Sequence, residues 1–303
     1  GASRQGILVK GGNYLEALAQ AGIVVFDKTG TLTQGRFAVT EAEAAAGSRE
    51  ELLELAALAE HFSTHPISRS IQEACPEADF SRVTQAEELP GRGVRAVVDG
   101  RTVLAGNGKL MKEFDVAVPE DGEPAGTVVY VAADGQYLGR LVVADQIKES
   151  APRALQMLKA EGVGRTVMLT GDAPAVGQAV GKTLGLDEVH AGLLPGDKVE
   201  RVEQLLAQKR PGEQLVFVGD GINDAPVLSR ADVGVAMGAM GSNAAIEAAD
   251  VVLMDDDLTK LPVAVSIARK TLRIVRQNIV FALGVKFLVL ILSPFGLANM
   301  WMA

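Results

Sequence analysis

Short apolar runs punctuate the chain: Ile23-Val24-Val25-Phe26, Val167-Met168-Leu169, Leu215-Val216-Phe217-Val218, Val233-Gly234-Val235-Ala236 and Val251-Val252-Leu253. Runs of this length bounded by turn residues read as buried strands. From about residue 141 they alternate with stretches of helical spacing at 149–160, 175–184, 197–208 and 242–248. Strand–helix alternation predicts a parallel sheet with helices on both faces. Between the first two runs the period changes. Residues 50–60 read as a helix, and a second is expected to start at His65-Pro66, because proline suits the first helical position. Residues 94–104 and 127–138 each place an Asp-Gly pair, Asp99-Gly100 and Asp134-Gly135, between β-prone runs, the signature of a two-residue hairpin turn. The α/β fold is therefore expected to be discontinuous. Residues 10–36 and 138–262 build the parallel-sheet domain, and residues 37–137 form an α+β insert with an antiparallel sheet.

The C-terminal pattern differs in kind. After Arg276 the only charge is Lys286, and Ile279 to Leu292 read IVFALGVKFLVLIL. Apolar character continues past Ser293-Pro294 to Trp301, a residue suited to an interfacial anchor, and Lys260, Arg269, Lys270, Arg273 and Arg276 precede the stretch. A basic flank marks the cytoplasmic side of a transmembrane helix. Residues 266–303 are therefore expected to be a cytosolic stalk leading into a membrane span.

Composition narrows the function. The chain has 303 residues and a net charge of −9, which argues against a nucleic-acid partner. Cys75 is the only cysteine, so no disulfide framework exists, and three histidines build no structural zinc cage. The opening Gly1-Ala2-Ser3-Arg4 reads as the start of a piece cut from something longer.

Four loops carry the candidate chemistry. Asp27-Lys28-Thr29-Gly30-Thr31-Leu32-Thr33 follows the first apolar run; Thr170-Gly171-Asp172 follows the second. Pro195-Gly196-Asp197-Lys198 sits at a helix start, and Gly219-Asp220-Gly221-Ile222-Asn223-Asp224 follows LVFV. In open α/β sheets ligands bind beyond the carboxyl ends of the strands. A carboxylate there attacks phosphorus, a hydroxyl and a lysine neutralise phosphoryl oxygens, and further carboxylates hold Mg²⁺, a cation that wants oxygen ligands such as Asp27 and Asp220. By contrast, the Gly177–Thr183 run GQAVGKT is one residue short of a P-loop and lies inside a helical stretch, so it is not read as a phosphate site.

The order of the loops resembles the haloacid dehalogenase-like superfamily, and their wording resembles its P-type ATPase branch. The resemblance implies Asp27 as the residue phosphorylated by ATP, with Lys28 and Thr29 in its loop. It implies Thr170, Gly171, Asp172 and Lys198 around the phosphoryl group, Asp27, Thr29, Asp220 and Asp224 at Mg²⁺, and Asn223 in the last loop. Phosphatases of the superfamily usually carry an acid–base Asp two residues after the nucleophile. Thr29 stands there and cannot do that work, which favours a long-lived phosphoenzyme.

In the insert, Glu60 and His65-Pro66 lie at the junction of the two helices, Gly91-Arg92-Gly93 precedes a hairpin, and Gly106-Asn107 follows one. Paired glycines let backbone approach a flat ligand, and an imidazole can stack on a purine. The set resembles the nucleotide-binding domain of heavy-metal-transporting P-type ATPases and implies that Glu60, His65, Pro66, Gly91, Gly93, Gly106 and Asn107 hold ATP. His61 and His190 are expected to be surface residues. Lys286 falls about 15 Å along a helix from Arg276, near the middle of a hydrocarbon core about 30 Å thick. It resembles the lysine of the zinc/cadmium/lead class and implies a counter-charge in the ion pathway.

Together the resemblances imply ATP-driven export of a heavy-metal cation. Catalytic domains would lie in the cytoplasm beneath a cell-membrane anchor, with membrane lipid, the remaining transmembrane helices and the actuator domain as partners. A copper-transporting pump and a soluble phosphatase of the superfamily are the competing readings.

Overall fold

The structure, a computed structural model, describes residues 2–119, 126–220, 224–238 and 247–292. In chain order the elements begin with β1 (Ile7–Val9), α1 (Gly12–Ala19), β2 (Ala21–Asp27), β3 (Thr33–Ala44), α2 (Arg49–Ala59), α3 (Pro66–Glu73), β4 (Val83–Leu89), β5 (Gly93–Val98) and β6 (Arg101–Gly106). They continue with α4 (Gly108–Glu113), β7 (Thr127–Ala133), β8 (Gln136–Ile147), α5 (Ser150–Ala160), β9 (Arg165–Leu169), α6 (Pro174–Leu184), β10 (Glu188–His190) and α7 (Pro195–Ala207). β11 (Gln214–Gly219), α8 (Ala225–Arg230), β12 (Val233–Met237), β13 (Val251–Leu253) and α9 (Lys260–Leu292) complete the described chain. The fold is mixed α/β, with a parallel sheet, an antiparallel sheet and a long apolar C-terminal helix. The chain forms two compact units.

The first unit comprises Gly1–Asp27, Glu149–Val167 and Leu194–Ala303. Its strands lie in the order β1-β13-β12-β11-β2. β11 is parallel to both β2 and β12, β12 is parallel to β13, and only β1 joins antiparallel. All seven residues of β2 are buried, as expected for a central strand covered on both faces. Phe26 and Phe217 are its largest fully buried side chains. The parallel register carries Asp27 and Gly219 to the same edge, because Phe26 stands opposite Val218.

α9 leaves this unit as an unbroken 33-residue helix, about 50 Å long. Leu261, Ala264, Val265 and Ala268 are buried near its start. Further on, Ile279, Val280, Phe281, Leu283, Phe287, Leu288, Leu290 and Ile291 are exposed. Its apolar window has a mean hydropathy of 1.8 and none of it is covered by the rest of the chain. The expected continuation from Ser293 to Trp301, and most of the helix expected at 242–248, lie outside the described residues.

The second unit comprises Lys28–Lys148 and Met168–Leu193. Its six-stranded antiparallel sheet has the order β3-β8-β7-β6-β5-β4. Leu52, Leu55 and Leu58 of α2 and Ile71 of α3 pack with Ala96, Val98, Val103 and Val131 into its main core. A smaller cluster of Leu104, Leu110, Met111, Val116 and Ala132 packs around α4. Both expected hairpins form, with Asp99 at φ 51° and Asp134 at φ 49° followed by glycines at φ 79° and 80°. β8 runs on past residue 137 to Ile147 and pairs with β3, a strand the periodicity of its sequence does not announce. The Gly177–Thr183 run lies inside α6, as expected.

Truncating the fully buried Phe217 to alanine is expected to lower the unfolding free energy by about 3–5 kcal/mol, read from urea denaturation of the chain in detergent. A loss well under 1 kcal/mol would contradict the central place of β11.

Candidate functional site

The first unit gathers charges at the end of β2. Asp27 closes the strand and is only 6% exposed. Lys198 reaches it from the first turn of α7, its Nζ donating to Asp27 Oδ1 at 2.6 Å and to Asp224 Oδ1 at 3.0 Å. α7 starts where Pro195 occupies the first turn and the Asp197 carboxylate accepts the Leu194 N–H at 2.9 Å. Asp224 is buried just before α8, and Asp220 is half-buried at the end of β11.

Burial is the main force on the Asp27 carboxyl, pushing its pKa up to about 7; Asp224 adds to the rise, Lys198 opposes it, and Asp220 raises it further. Burial pulls the Lys198 ammonium down, but Asp27 and Asp224 outweigh it and its pKa ends raised. The arrangement is a buried oxygen-donor site with more acid than one lysine neutralises, and such a site fits a hard divalent cation. Among the described residues no three His, Cys, Asp or Glu side chains close around one metal position. Mg²⁺ itself needs only one or two carboxylates beside phosphate oxygens. Asn223 lies outside the described residues.

The second unit holds the rest of the loop that follows Asp27. Lys28–Leu32 makes a tight turn in which Gly30 adopts φ +73°, a left-handed conformation that favours glycine. Lys28 is buried and ion-pairs with Asp172 at 2.7 Å and Asp145 at 3.6 Å. Thr33 Oγ1 donates to Asp145 Oδ2 at 2.5 Å, and Lys148 Nζ donates to the Gly30 carbonyl at 2.6 Å. Thr170 is buried, and its hydroxyl oxygen accepts the Asp172 N–H at 3.1 Å across Gly171. Thr29 lines a cleft of about 310 Å³ together with Lys28, Asp145 and Asp172. Asp145 and Lys148 escaped the sequence reading. Their signal is an Asp-x-x-Lys spacing after the apolar run Leu141-Val142-Val143, at the end of a strand that alternation alone cuts short.

A separate cleft of about 210 Å³ brings together Glu60, His65, Gly91, Gly93, Gly106 and Asn107, with Ser63, Ser68, Glu88 and Arg92 also lining it. His65 caps α3, Nδ1 accepting the Ile67 N–H at 3.3 Å, so the proton of the neutral ring belongs on Nε2. Pro66 opens that helix. Gly93 and Gly106 face each other across β5 and β6. A Cβ on Gly93 would stand 2.2 Å from the Ala105 carbonyl oxygen, and one on Gly106 2.3 Å from that of Arg92. Asn107 is committed to structure: its Oδ1 caps α4 through the Lys109 N–H at 3.0 Å, and its Nδ2 donates to the Gly91 carbonyl at 2.9 Å. It therefore shapes the glycine wall, and one of the two Nδ2 hydrogens is used in doing so.

Glu60 is buried at the end of α2 and accepts from Ser68 Oγ at 2.7 Å. Burial pushes its pKa up to about 7, the Ser68 bond opposes the rise, and Glu88 adds to it. Two expectations are corrected. His61 is half-buried and stacked on Phe80 at 4.1 Å, and His190 is half-buried with its Nε2 3.5 Å from Glu188, so neither is a plain surface residue. Lys286 is exposed on the apolar part of α9.

A raised carboxyl pKa costs stability where the unfolded chain would ionise and the folded one does not, so the Glu60 penalty is absent below about 4.5, grows as pH rises from there to about 7, and is complete above that. Glu60→Gln is expected to stabilise the chain by about 2–3 kcal/mol at pH 8, with little effect near pH 5, in thermal unfolding followed across pH. A pH-independent difference would contradict the buried carboxyl.

The sequence profile of the haloacid dehalogenase-like hydrolases, "Hydrolase: haloacid dehalogenase-like hydrolase", matches residues 22–232. Over its whole length the chain is 54% identical to the cadmium, zinc and cobalt-transporting ATPase of Bacillus subtilis (strain 168), of which it spans 43%. It is 52% identical to the zinc-transporting ATPase of Synechocystis sp. (strain ATCC 27184 / PCC 6803 / Kazusa), spanning 42% of it. Among solved structures it is similar to a zinc-transporting PIB-type ATPase in its E2.Pi state, with a TM-score of 0.86 and 38% identity over 99% of this chain and 50% of that one. The chain thus spans less than half the length of these two relatives.

Proposed function

We propose that this chain, which belongs to the haloacid dehalogenase-like hydrolase family, is the ATP-binding and autophosphorylating part of a zinc- and cadmium-exporting P-type ATPase. The observation that carries the reading is the Asp27–Lys198–Asp224 cluster at the end of a fully buried strand. Residues 10–36 and 138–262 act as the phosphorylation domain, residues 37–137 as the nucleotide-binding domain, and residues 266–303 as stalk and membrane span. The cytoplasmic side is the one on which the Arg269–Arg276 basic stretch of α9 precedes the apolar part of the helix.

ATP binds with its base in the glycine-walled cleft, against Glu60 and His65. A carboxylate oxygen of Asp27 attacks the γ-phosphorus, the bond from phosphorus to the bridging oxygen breaks, and ADP leaves. Lys198 holds Asp27 in place and neutralises charge, and Thr170 offers its hydroxyl to the phosphoryl oxygens. When bound by Asp27 and Asp220, with Asp224 beside them, Mg²⁺ supplies further charge neutralisation at the transferred group. Thr29 carries no acid–base group, so nothing in this loop activates water, and the acyl-phosphate survives to drive the membrane helices. Lys286 serves as a counter-charge in the ion pathway; a lysine within an apolar helix costs about 2.5–3.5 kcal/mol, which marks it as a functional residue.

In the full-length pump, ATP hydrolysis is expected to rise on adding Zn²⁺ or Cd²⁺ and not Cu⁺, and Asp27→Asn removes the stimulated activity. Stimulation by Cu⁺ alone would overturn the metal assignment, and undiminished hydrolysis in the variant would overturn the nucleophile. His65→Gln is expected to raise the ATP concentration for half-maximal rate about tenfold, the equivalent of one hydrogen bond. An unchanged half-maximal concentration would remove His65 from the nucleotide site.

A further inference from the structure

Among the described residues that line the glycine-walled cleft, two are acids, Glu60 and Glu88, and one, Arg92, carries a permanent positive charge. An ionised carboxylate there repels a triphosphate, and Arg92 attracts it.

The main chain at Arg92 is held on both sides. Its N–H donates to the Leu89 carbonyl at 3.0 Å, and its carbonyl accepts the Asn107 N–H at 2.8 Å. One residue earlier, the Gly91 carbonyl accepts from Asn107 Nδ2 at 2.9 Å. Gly91 and Gly93, at φ 71° and 141°, supply the bends. The turn is therefore built from backbone and from Asn107, and the arginine side chain is spare to it.

The guanidinium is held much less. One of its five N–H donors, on Nη1, reaches Glu113 Oε2 at the end of α4, and it has no other acceptor among the described residues. The two side chains are 41% and 42% exposed. An ion pair so open to water adds little stability, so another anion displaces it readily. Arg95, on the strand that follows, is already engaged over the Phe114 ring at 5.6 Å.

We propose that Arg92 grips the phosphate chain of the nucleotide, and that Glu113 is its placeholder while the cleft is empty. On binding, the planar guanidinium leaves Glu113 and donates paired N–H bonds to phosphate oxygens; no covalent bond changes. Glu113 thus competes with the ligand and tunes its affinity. The proposal rests on the nucleotide reading of this cleft. It gives a role to the residue between two glycines that the family resemblance assigns and whose own side chain it leaves unassigned.

The test is calorimetric titration of the full chain, in detergent with EDTA, by ATP and by adenosine. The wild type is expected to bind ATP more tightly than adenosine. Arg92→Gln is expected to weaken ATP binding about tenfold, the loss of one charge-assisted contact, and to leave adenosine binding unchanged. Lys112→Gln removes an equal charge beside Glu113 but outside the cleft, and is expected to change neither. Glu113→Gln is expected to tighten ATP binding about two- to threefold, and to have no effect in the Arg92→Gln background. A wild type indifferent to phosphate, an undiminished ATP affinity in Arg92→Gln, equal losses for ATP and adenosine, or an equal loss in Lys112→Gln overturns the grip. No gain from Glu113→Gln, or a gain that persists without Arg92, overturns the placeholder. A wild type that binds neither ligand overturns the nucleotide reading itself, and the role of Arg92 with it.

Discussion

The contact of Lys198 with Asp27 and Asp224 is the interaction on which the rest depends. Two carboxylates about 4 Å apart repel by about 4 kcal/mol at an effective dielectric of 20, and burial adds to the cost of charge. Left alone they would take up protons, and a protonated Asp27 is a poor nucleophile. Lys198, 171 positions downstream, supplies the opposing charge from a helix start. The parallel sheet exists, in this view, to hold Asp27 and the Gly219–Asp220 corner on one edge while α7 delivers the lysine. The cluster remains acid-rich, and that surplus is what a divalent cation and a transferring phosphoryl group would relieve.

The nucleotide cleft answers a different constraint. Its wall is backbone, because Gly93 and Gly106 leave no room for a Cβ, and some of its polar groups engage one another, Ser68 with Glu60 and Ser63. Asn107 braces that wall, His65 caps a helix while facing the cleft, and Glu60 is held by a serine hydroxyl. Each residue does a structural task that also aims it. Substitutions here therefore disturb both stability and binding, and only readouts such as pH dependence or proton uptake tell the two apart.

Much of this was legible in the chain. The apolar runs became β2, β9, β11, β12 and β13, and both Asp-Gly pairs became hairpin turns, because buried strands and positive φ leave strong local signals. β3 and β4 were not legible. Thr33–Ala44 and Val83–Leu89 are polar, largely exposed edge strands, so their pairing comes from neighbours rather than from any alternation of their own. The loops that bear Asp27, Thr170, Lys198 and Asp220 could be found because their wording is distinctive. Asp145 and Lys148 went unread, since their Asp-x-x-Lys spacing is a weak signal and each matters through a partner distant in sequence.

The central claim is that Asp27 carries the phosphoryl group. The most direct test is to label the full-length pump with [γ-³²P]ATP, quench in acid, and map the labelled peptide before and after hydroxylamine. The account predicts a single labelled peptide containing Asp27, stripped by hydroxylamine as an acyl-phosphate must be, and no label in Asp27→Asn. Label on another peptide, label resistant to hydroxylamine, or label persisting in Asp27→Asn would contradict it.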